Sequence, residues 1–325
     1  MLKHIVITGA AGFIGSHLCE KLLSEGYEVT GIDNFDSFYA KDLKVNNLNA
    51  CRQFPAFRFI SGDMGDVQLL AGIEGKIDAV IHLAAKAGVQ PSLKNPQGYI
   101  QTNIADTNTL LEWMKLRQIN KFIFASSSSV YGNTLQTPFT EKQNTDAAFS
   151  PYAFTKKACE VMNYTYHSLY NIDVINLRFF TVYGERQRPD LAIHKFVHNL
   201  YHNKPIYMYG DGSSARDYTY YADTVQGIFS ALKYIETHAN VYEIINLGNS
   251  HPIKLRDLIA TIADVTGITP NIIQDTDKPG DVAITYADIS YAQQLLSYNP
   301  QTDLRTGISH FVEWYKQNLL TSTIS

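Results

Sequence analysis

Short, nearly unbroken apolar runs recur along the chain at His4–Gly9, Glu28–Asn34, Phe57–Asp63, Ala79–Ala85, Lys121–Ser126, Asp173–Phe179 and Tyr242–Leu247. They are rich in β-branched and aromatic residues and lack the polar alternation of a half-exposed strand, which predicts strands buried on both faces. Between them lie stretches of helical length, with helices predicted at Gly12–Glu25, Gln97–Arg117, Pro151–Tyr170 and Ala192–Asn203. This alternation predicts an α/β fold, a Rossmann-type doubly wound parallel sheet. Beyond about Thr181 the regularity weakens, and turn-rich segments at Gly210–Ser214, Lys278–Asp281 and Asn299–Thr302 punctuate short strands and helices. A smaller, less regular α/β unit is expected there. The Tyr242–Leu247 run reads as a strand returning to the main sheet. The expected division is therefore discontinuous: residues 1–180 plus about 217–247 in one unit, and about 181–216 plus 248–325 in the other.

Composition narrows the classes without choosing among them. The 325 residues suffice for two units, and 45% apolar with 18% charged residues is an ordinary globular balance. A net charge of −4 argues against a basic nucleic-acid-binding face. The three cysteines, Cys19, Cys51 and Cys159, are odd in number and form no CxxC pair, so reduced thiols are expected and no disulfide or zinc framework. The chain enters directly into HIVITG, with no signal peptide and no apolar run of membrane-spanning length, which leads to the expectation of a soluble cytoplasmic protein. The 21 tyrosines suit polar clefts that need apolar bodies with hydroxyl tips.

The first candidate chemistry is ITGAAGFIGSHL, with Gly9, Gly12 and Gly15 between a strand and a helix. The first glycine permits the turn, the second lets backbone approach a pyrophosphate, and the third lets the helix pack on the sheet. The helix N-terminus then offers N–H groups and partial positive charge to phosphates. Asp33 ends the second strand, 18 residues beyond Gly15, near the ~20 expected of an acid that accepts from ribose hydroxyls. It would repel a 2′-phosphate, which favours NAD over NADP. Asp63, closing the third strand in SGD, is placed to accept from an adenine amine.

The second is Tyr152–Ala153–Phe154–Thr155–Lys156, which sets a tyrosine and a lysine one helical turn apart on one face. A tyrosine titrating near pH ~10 needs roughly 4 kcal/mol of help to serve as a base at neutral pH. A cation held at ~4 Å in intermediate dielectric contributes about that much. Lys156 is expected to be one such cation, and an oxidised nicotinamide a second.

With the glycine motif, Asp33, a serine cluster, YxxxK and RDYTY, the chain resembles the extended short-chain dehydrogenase/reductase family over essentially its whole length. Within that family it is similar to the UDP-glucuronate 4-epimerases through HLAAKAGVQPSLKNPQGYIQTN (82–103), ASSSSVYG (125–132), LRFFTVYGERQRPD (177–190) and KPGDVAITYAD (278–288). The resemblance implies NAD as cofactor, with Phe13, Ile14, Asn34, Met64, Leu83, Ala84, Ala85, Lys86, Asn103, Ser126 and Phe179 joining the glycines, Asp33, Asp63, Tyr152 and Lys156 around it. It implies Tyr152, Lys156 and Ser127 as the catalytic set, with Ser127 on the sugar 4-hydroxyl and Lys156 on the nicotinamide ribose. It implies Ser128, Ser129, Thr181, Arg188, Arg216, Lys278 and Asp281 as substrate-binding residues, no metal, a UDP-sugar substrate (UDP-glucuronate and UDP-galacturonate), and a homodimer built on the helices near Gln97–Arg117 and Pro151–Tyr170. Thr181 corresponds to a threonine that contacts the sugar carboxylate, and Arg216 and Lys278 to cations on the diphosphate. Lys278 departs from the arginine often found in relatives, keeping the charge but losing the planar fork. Pro205–Tyr209 resembles the strand that flanks the uracil.

Neighbouring activities remain as alternatives. Related 4,6-dehydratases carry an Asp-Glu pair just before Val-Tyr-Gly, and decarboxylases a glutamate. Ser128 and Ser129 stand there in this chain, so dehydration lacks its acid and base. Epimerases for UDP-N-acetylglucosamine or UDP-glucose usually carry asparagine at the Thr181 position. A non-catalytic NAD-sensing module commonly loses the tyrosine or the lysine, and both are kept here.

Overall fold

The computed structural model describes residues 3–276 and 280–320. Seven strands, β1 (His4–Thr8), β2 (Glu28–Asp33), β3 (Phe57–Ser61), β4 (Ala79–His82), β5 (Lys121–Ser127), β6 (Asp173–Phe179) and β10 (Tyr242–Leu247), form one sheet in the order β10-β6-β5-β4-β1-β2-β3. Every pairing in it is parallel. The order reverses between β1 and β4, which makes the C-terminal edge there the crevice where such folds bind ligands. Tyr242–Leu247 does return to the main sheet, beside β6.

Apolar residues on the two faces of the sheet divide into two cores. Ile5, Ile7, Ile123, Ile175 and Ile245 pack on one side with the helices Phe13–Ser24 and Tyr221–Thr237. Val6, Val80, Phe122, Phe124 and Val174 pack on the other with Leu110, Met114 and Cys159. A third core, around Tyr183, Phe196, Tyr218, Leu258, Ile262 and Phe311, belongs to the remaining strands and C-terminal helices. These strands are β7 (Thr181–Tyr183), β8 (Ile206–Tyr209), β9 (Ala215–Tyr220), β11 (Pro252–Lys254) and β12 (Ile272–Asp275), which form the small sheets β11-β9-β7 and β12-β8. The helix Ser290–Leu296 sends Ala292 and Leu296 into the main core.

Element ends shift for local reasons. β1 stops at Thr8 because Gly9 turns into the left-handed region at φ +73°. β4 stops at His82; the Leu83 amide still donates to the Thr8 carbonyl and the Ala84 amide to the Thr8 hydroxyl, each at 3.2 Å. The helix predicted over Gln97–Arg117 runs as Pro96–Tyr99, a wider i→i+5 turn over Ile100–Ala105, and Asp106–Leu116. At the wide turn the Asn103 carbonyl accepts from Thr107 Oγ1 at 2.6 Å and from Cys159 Sγ at 2.9 Å. All three cysteines are buried and unpaired. Among the described residues no helix is long and apolar enough to cross a membrane, and no cluster of three metal-ligating side chains occurs.

Candidate active site

One cavity of about 600 Å³ opens along the C-terminal edge of the main sheet and continues to β7 and β9. Its floor is the glycine turn. A Cβ on Gly9 would come within 2.8 Å of the Ala84 amide nitrogen, and one on Gly15 would run into the Gly9 carbonyl. The backbone there is packed as closely as glycine allows, and it leaves the Phe13–Ser24 helix N-terminus facing the cavity. Asp33 ties this turn to the end of β2, accepting from the Ala11 amide at 3.1 Å and the Phe35 amide at 2.8 Å. Burial raises its carboxyl above the ordinary value, against those two N–H bonds and the charge of Lys44. Asp63 accepts from the Asn34 side chain at 3.1 Å. Cradle, helix end and paired acid fit a dinucleotide.

The cavity is lined by Gly9, Gly12, Phe13, Ile14, Gly15, Asp33, Asn34, Asp63, Met64, Leu83, Ala84, Ala85, Lys86, Ser126, Ser127, Ser128, Ser129, Tyr152, Lys156, Phe179, Thr181, Arg188, Arg216 and Asp281. Among the described residues of the sequence-derived set, one is not brought there. Asn103 is buried behind the wall, where it accepts from the Lys86 amide at 2.8 Å and donates to the Lys86 carbonyl and Thr155 Oγ1 at 3.0 Å each. It shapes the loop and does not face the cavity. Lys278 lies outside the described residues.

Tyr152 and Lys156 sit on the first two turns of the Pro151–Tyr170 helix, which Ser150 caps by accepting from the Ala153 amide at 3.1 Å. Ser127 ends β5, and its oxygen accepts from the Ser129 amide at 3.2 Å, which leaves its proton for another acceptor. Lys156 Nζ donates to the Ala125 carbonyl at 2.7 Å and lies 4.8 Å from the centre of the Phe124 ring. Burial lowers its pKa to about 8, against the charges of Cys159 and Glu160. Tyr152 stands above its ordinary value because burial disfavours the phenolate, while the Ser127 hydrogen bond and the Arg188 charge pull it down. One N–H of the Lys156 ammonium is on that carbonyl, and the charge of Arg188 bears on the phenol.

Arg188 is itself forked onto Asp190, with bonds of 2.9 and 2.8 Å, and its guanidinium lies 5.2 Å from the Phe38 ring centre. Arg216 donates to its own neighbour's carbonyl, that of Ala215, at 2.9 Å. The acids lining the cavity among the described residues are Asp33, Asp36, Asp63 and Asp281, and none is on the serine wall. There Ser129 Oγ is buried without a hydrogen-bond partner.

Several residues of the site were not singled out from sequence. Tyr99 meets the Tyr152 ring edge-on at 6.2 Å and donates to the Ala87 carbonyl at 2.9 Å. Glu160, one turn past Lys156, accepts from Ser126 Oγ at 2.6 Å and is forked by the buried Arg178 at 2.8 Å twice. The i+4 spacing of Tyr152, Lys156 and Glu160 was available as a signal for Glu160.

The GDP-mannose 4,6 dehydratase family matches residues 6–311 of the chain. The chain belongs to this family of extended short-chain dehydrogenase/reductases. It is 41% identical to the UDP-glucuronate 4-epimerase of Thermodesulfobacterium geofontis over 98% of both chains. The crystal structure of UDP-glucuronic acid 4-epimerase from Bacillus cereus, in complex with UDP-glucuronic acid and NAD, superposes with a TM-score of 0.91 at 37% identity, covering 97% of this chain and 99% of that one. The UDP-N-acetylglucosamine 4-epimerase of Methanobrevibacter ruminantium, in complex with UDP-N-acetylmuramic acid, superposes at 0.87 with 31% identity, covering 98% and 99%.

Proposed function

We propose that this chain is an NAD-dependent UDP-glucuronate 4-epimerase, an isomerase that interconverts UDP-glucuronate and UDP-galacturonate. The observation that carries the reading is the serine wall. Ser127 stands beside Tyr152, Ser129 Oγ is a buried hydroxyl without a partner, and no carboxyl group occupies positions 128 or 129. A hydroxyl-lined wall suits a carboxylate-bearing sugar, which accepts from hydroxyls, and it supplies neither acid nor base for dehydration.

The glycine turn, the helix N-terminus and Asp33 would hold the dinucleotide, and Phe179, Ala84 and Lys156 would hold its nicotinamide half. Bound there, NAD supplies the reversible removal and return of hydride at C4 of the sugar. Tyr152 takes the proton of the 4-hydroxyl and later returns it, while Ser127 holds that hydroxyl. The phenol needs positive charge to act as a base near neutral pH, which Lys156 and Arg188 provide in part and an oxidised nicotinamide would complete. Ser128, Ser129 and Thr181 hold the carboxylate out of line with the C4 carbonyl and so guard the β-keto acid against loss of CO₂. Arg216, Lys278 and Asp281 take the diphosphate and ribose. We assign residues 1–180 plus about 217–247 to the dinucleotide unit and the remainder to the sugar unit, with the helix Ser290–Leu296 returning to the first.

A panel of UDP-glucuronate, UDP-glucose and UDP-N-acetylglucosamine offered without added NAD tests this assignment. Interconversion at C4 with preference for the uronate is expected, and preference for either neutral sugar would transfer the assignment to the hexose epimerases. Thr181→Val should increase the fraction of UDP-pentose product severalfold by mass spectrometry. Unchanged product ratios would remove Thr181 from that role.

A cytoplasmic homodimer belongs to the same proposal. Phe154, Val161 and Tyr164 form an apolar stripe on the Pro151–Tyr170 helix at 48%, 57% and 55% exposure, more than a monomer gains by showing to water. Light scattering should give a dimer for the natural chain and a monomer for Val161→Glu. A natural chain that runs as a monomer would contradict this part.

A further inference from the structure

The Asp33–Tyr39 loop after β2 and the Leu83–Val89 loop after β4 flank β1, since the sheet runs β4-β1-β2. Any side-chain bond between these loops therefore crosses above the end of β1, where the glycine turn lies. One such bond exists: Lys86 Nζ donates to Asp36 Oδ2 at 2.7 Å. Both residues line the cavity.

Each end of this bond is anchored. The Lys86 backbone is gripped on both its N–H and its C=O by the Asn103 side chain. The Asp36 amide donates to Asn34 Oδ1 at 2.9 Å, and its carbonyl accepts from Lys44 Nζ at 2.7 Å. The other carboxylate oxygen of Asp36 accepts from the Phe38 amide at 2.9 Å. The preceding residue, Phe35, is held at φ +53°, in the left-handed region that β-carbon-bearing residues seldom adopt. Burial works against the charge of Asp36, but the Lys86 ammonium and the Phe38 N–H outweigh it and hold the carboxyl below its ordinary value.

We propose that Asp36 is a cofactor-retaining residue, which with Lys86 forms a strap across the dinucleotide crevice that must open before the cofactor leaves. The proposal rests on the NAD-dependent reading above. Both side chains are about one-third exposed, at 31% and 37%, so the strap is screened by salt and its contribution is modest.

The test is the rate at which bound NAD leaves the purified enzyme after dilution into an enzymatic trap for free NAD. Asp36→Asn keeps an oxygen for the Phe38 amide and removes only the charge that Lys86 meets. It should speed release by about threefold to fivefold at low salt, and the difference should shrink towards none near 1 M salt. In a Lys86→Met background the same substitution should have no further effect, and Asp36→Glu should restore slow release. Release within experimental error of the natural rate at low salt would overturn the strap, as would an equal acceleration by Asp36→Asn in the Lys86→Met background. Unchanged circular dichroism and melting of Asp36→Asn keep the comparison free of misfolding. A natural enzyme that binds no NAD at all would instead refute the underlying functional reading.

Discussion

Tyr152→Phe should lower kcat by between about 10² and 10⁴ while the purified protein retains its NAD. The substitution removes one oxygen and leaves the ring, so the edge-on packing against Tyr99 at 6.2 Å persists and the cavity keeps its shape. What is lost is the group beside Ser127 that accepts and returns the proton of the 4-hydroxyl. Lys156 is a proton donor to the Ala125 carbonyl, and the guanidinium of Arg188 cannot act as a base. Melting temperature and NAD content should match the natural protein, which separates lost chemistry from lost folding. Turnover within tenfold of the natural enzyme would show that another group moves the proton.

The second large effect is on stability. Arg178 and Glu160 are each about 1% exposed and joined by two bonds of 2.8 Å. The guanidinium also donates to Tyr131 Oη at 3.0 Å, and that hydroxyl donates to Asn246 Oδ1 at 2.7 Å. The network thus pins β5, β6, β10 and the catalytic helix from inside. Arg178→Met strips a buried carboxylate of its two-bond guanidinium partner and leaves it Lys157 at 3.8 Å, and a loss of about 3 kcal/mol is expected, read as a fall in the urea midpoint. Removing both partners, as Arg178→Met with Glu160→Leu, should recover much of that loss, because the desolvation cost disappears with the charges. Ser126 donates to the same carboxylate, so the double variant should still show reduced kcat through a loosened Ser126–Ser127 strand end. A single Arg178→Met variant as stable as the natural chain would contradict the assignment of this pair.

The main sheet was legible because its strands are buried on both faces and so read as unbroken apolar runs. β1, β2 and β10 fall where HIVIT, EVTGID and YEIINL place them. The C-terminal part was less so. The helix Tyr221–Thr237 follows β9 without a turn residue between them, Tyr220 ending the strand and Tyr221 opening the helix. The helix Leu255–Thr266 buries Leu258, Ile259 and Ile262, a narrow stripe that only the third core explains. In the site, residue identity carried the glycine turn and the Tyr-Lys pair, because spacing along one element fixes their geometry. The orientation of Lys156 was not legible, since it depends on a carbonyl of β5 that is 31 residues away in the chain. The Arg188–Asp190 fork is local, two residues apart in RPD, yet its nearness to Tyr152 depends on how β7 and the following loop fold over the sheet.

The central claim is that C4 of the sugar is oxidised and then reduced within one visit to the enzyme, and deuterium tests it most directly. UDP-glucuronate carrying deuterium at C4 is mixed with the unlabelled sugar and turned over without added NAD. The account predicts UDP-galacturonate with the label retained at C4, no exchange with solvent and no crossover between molecules. Washout of deuterium into water, or epimer formed with none of the label, would contradict it.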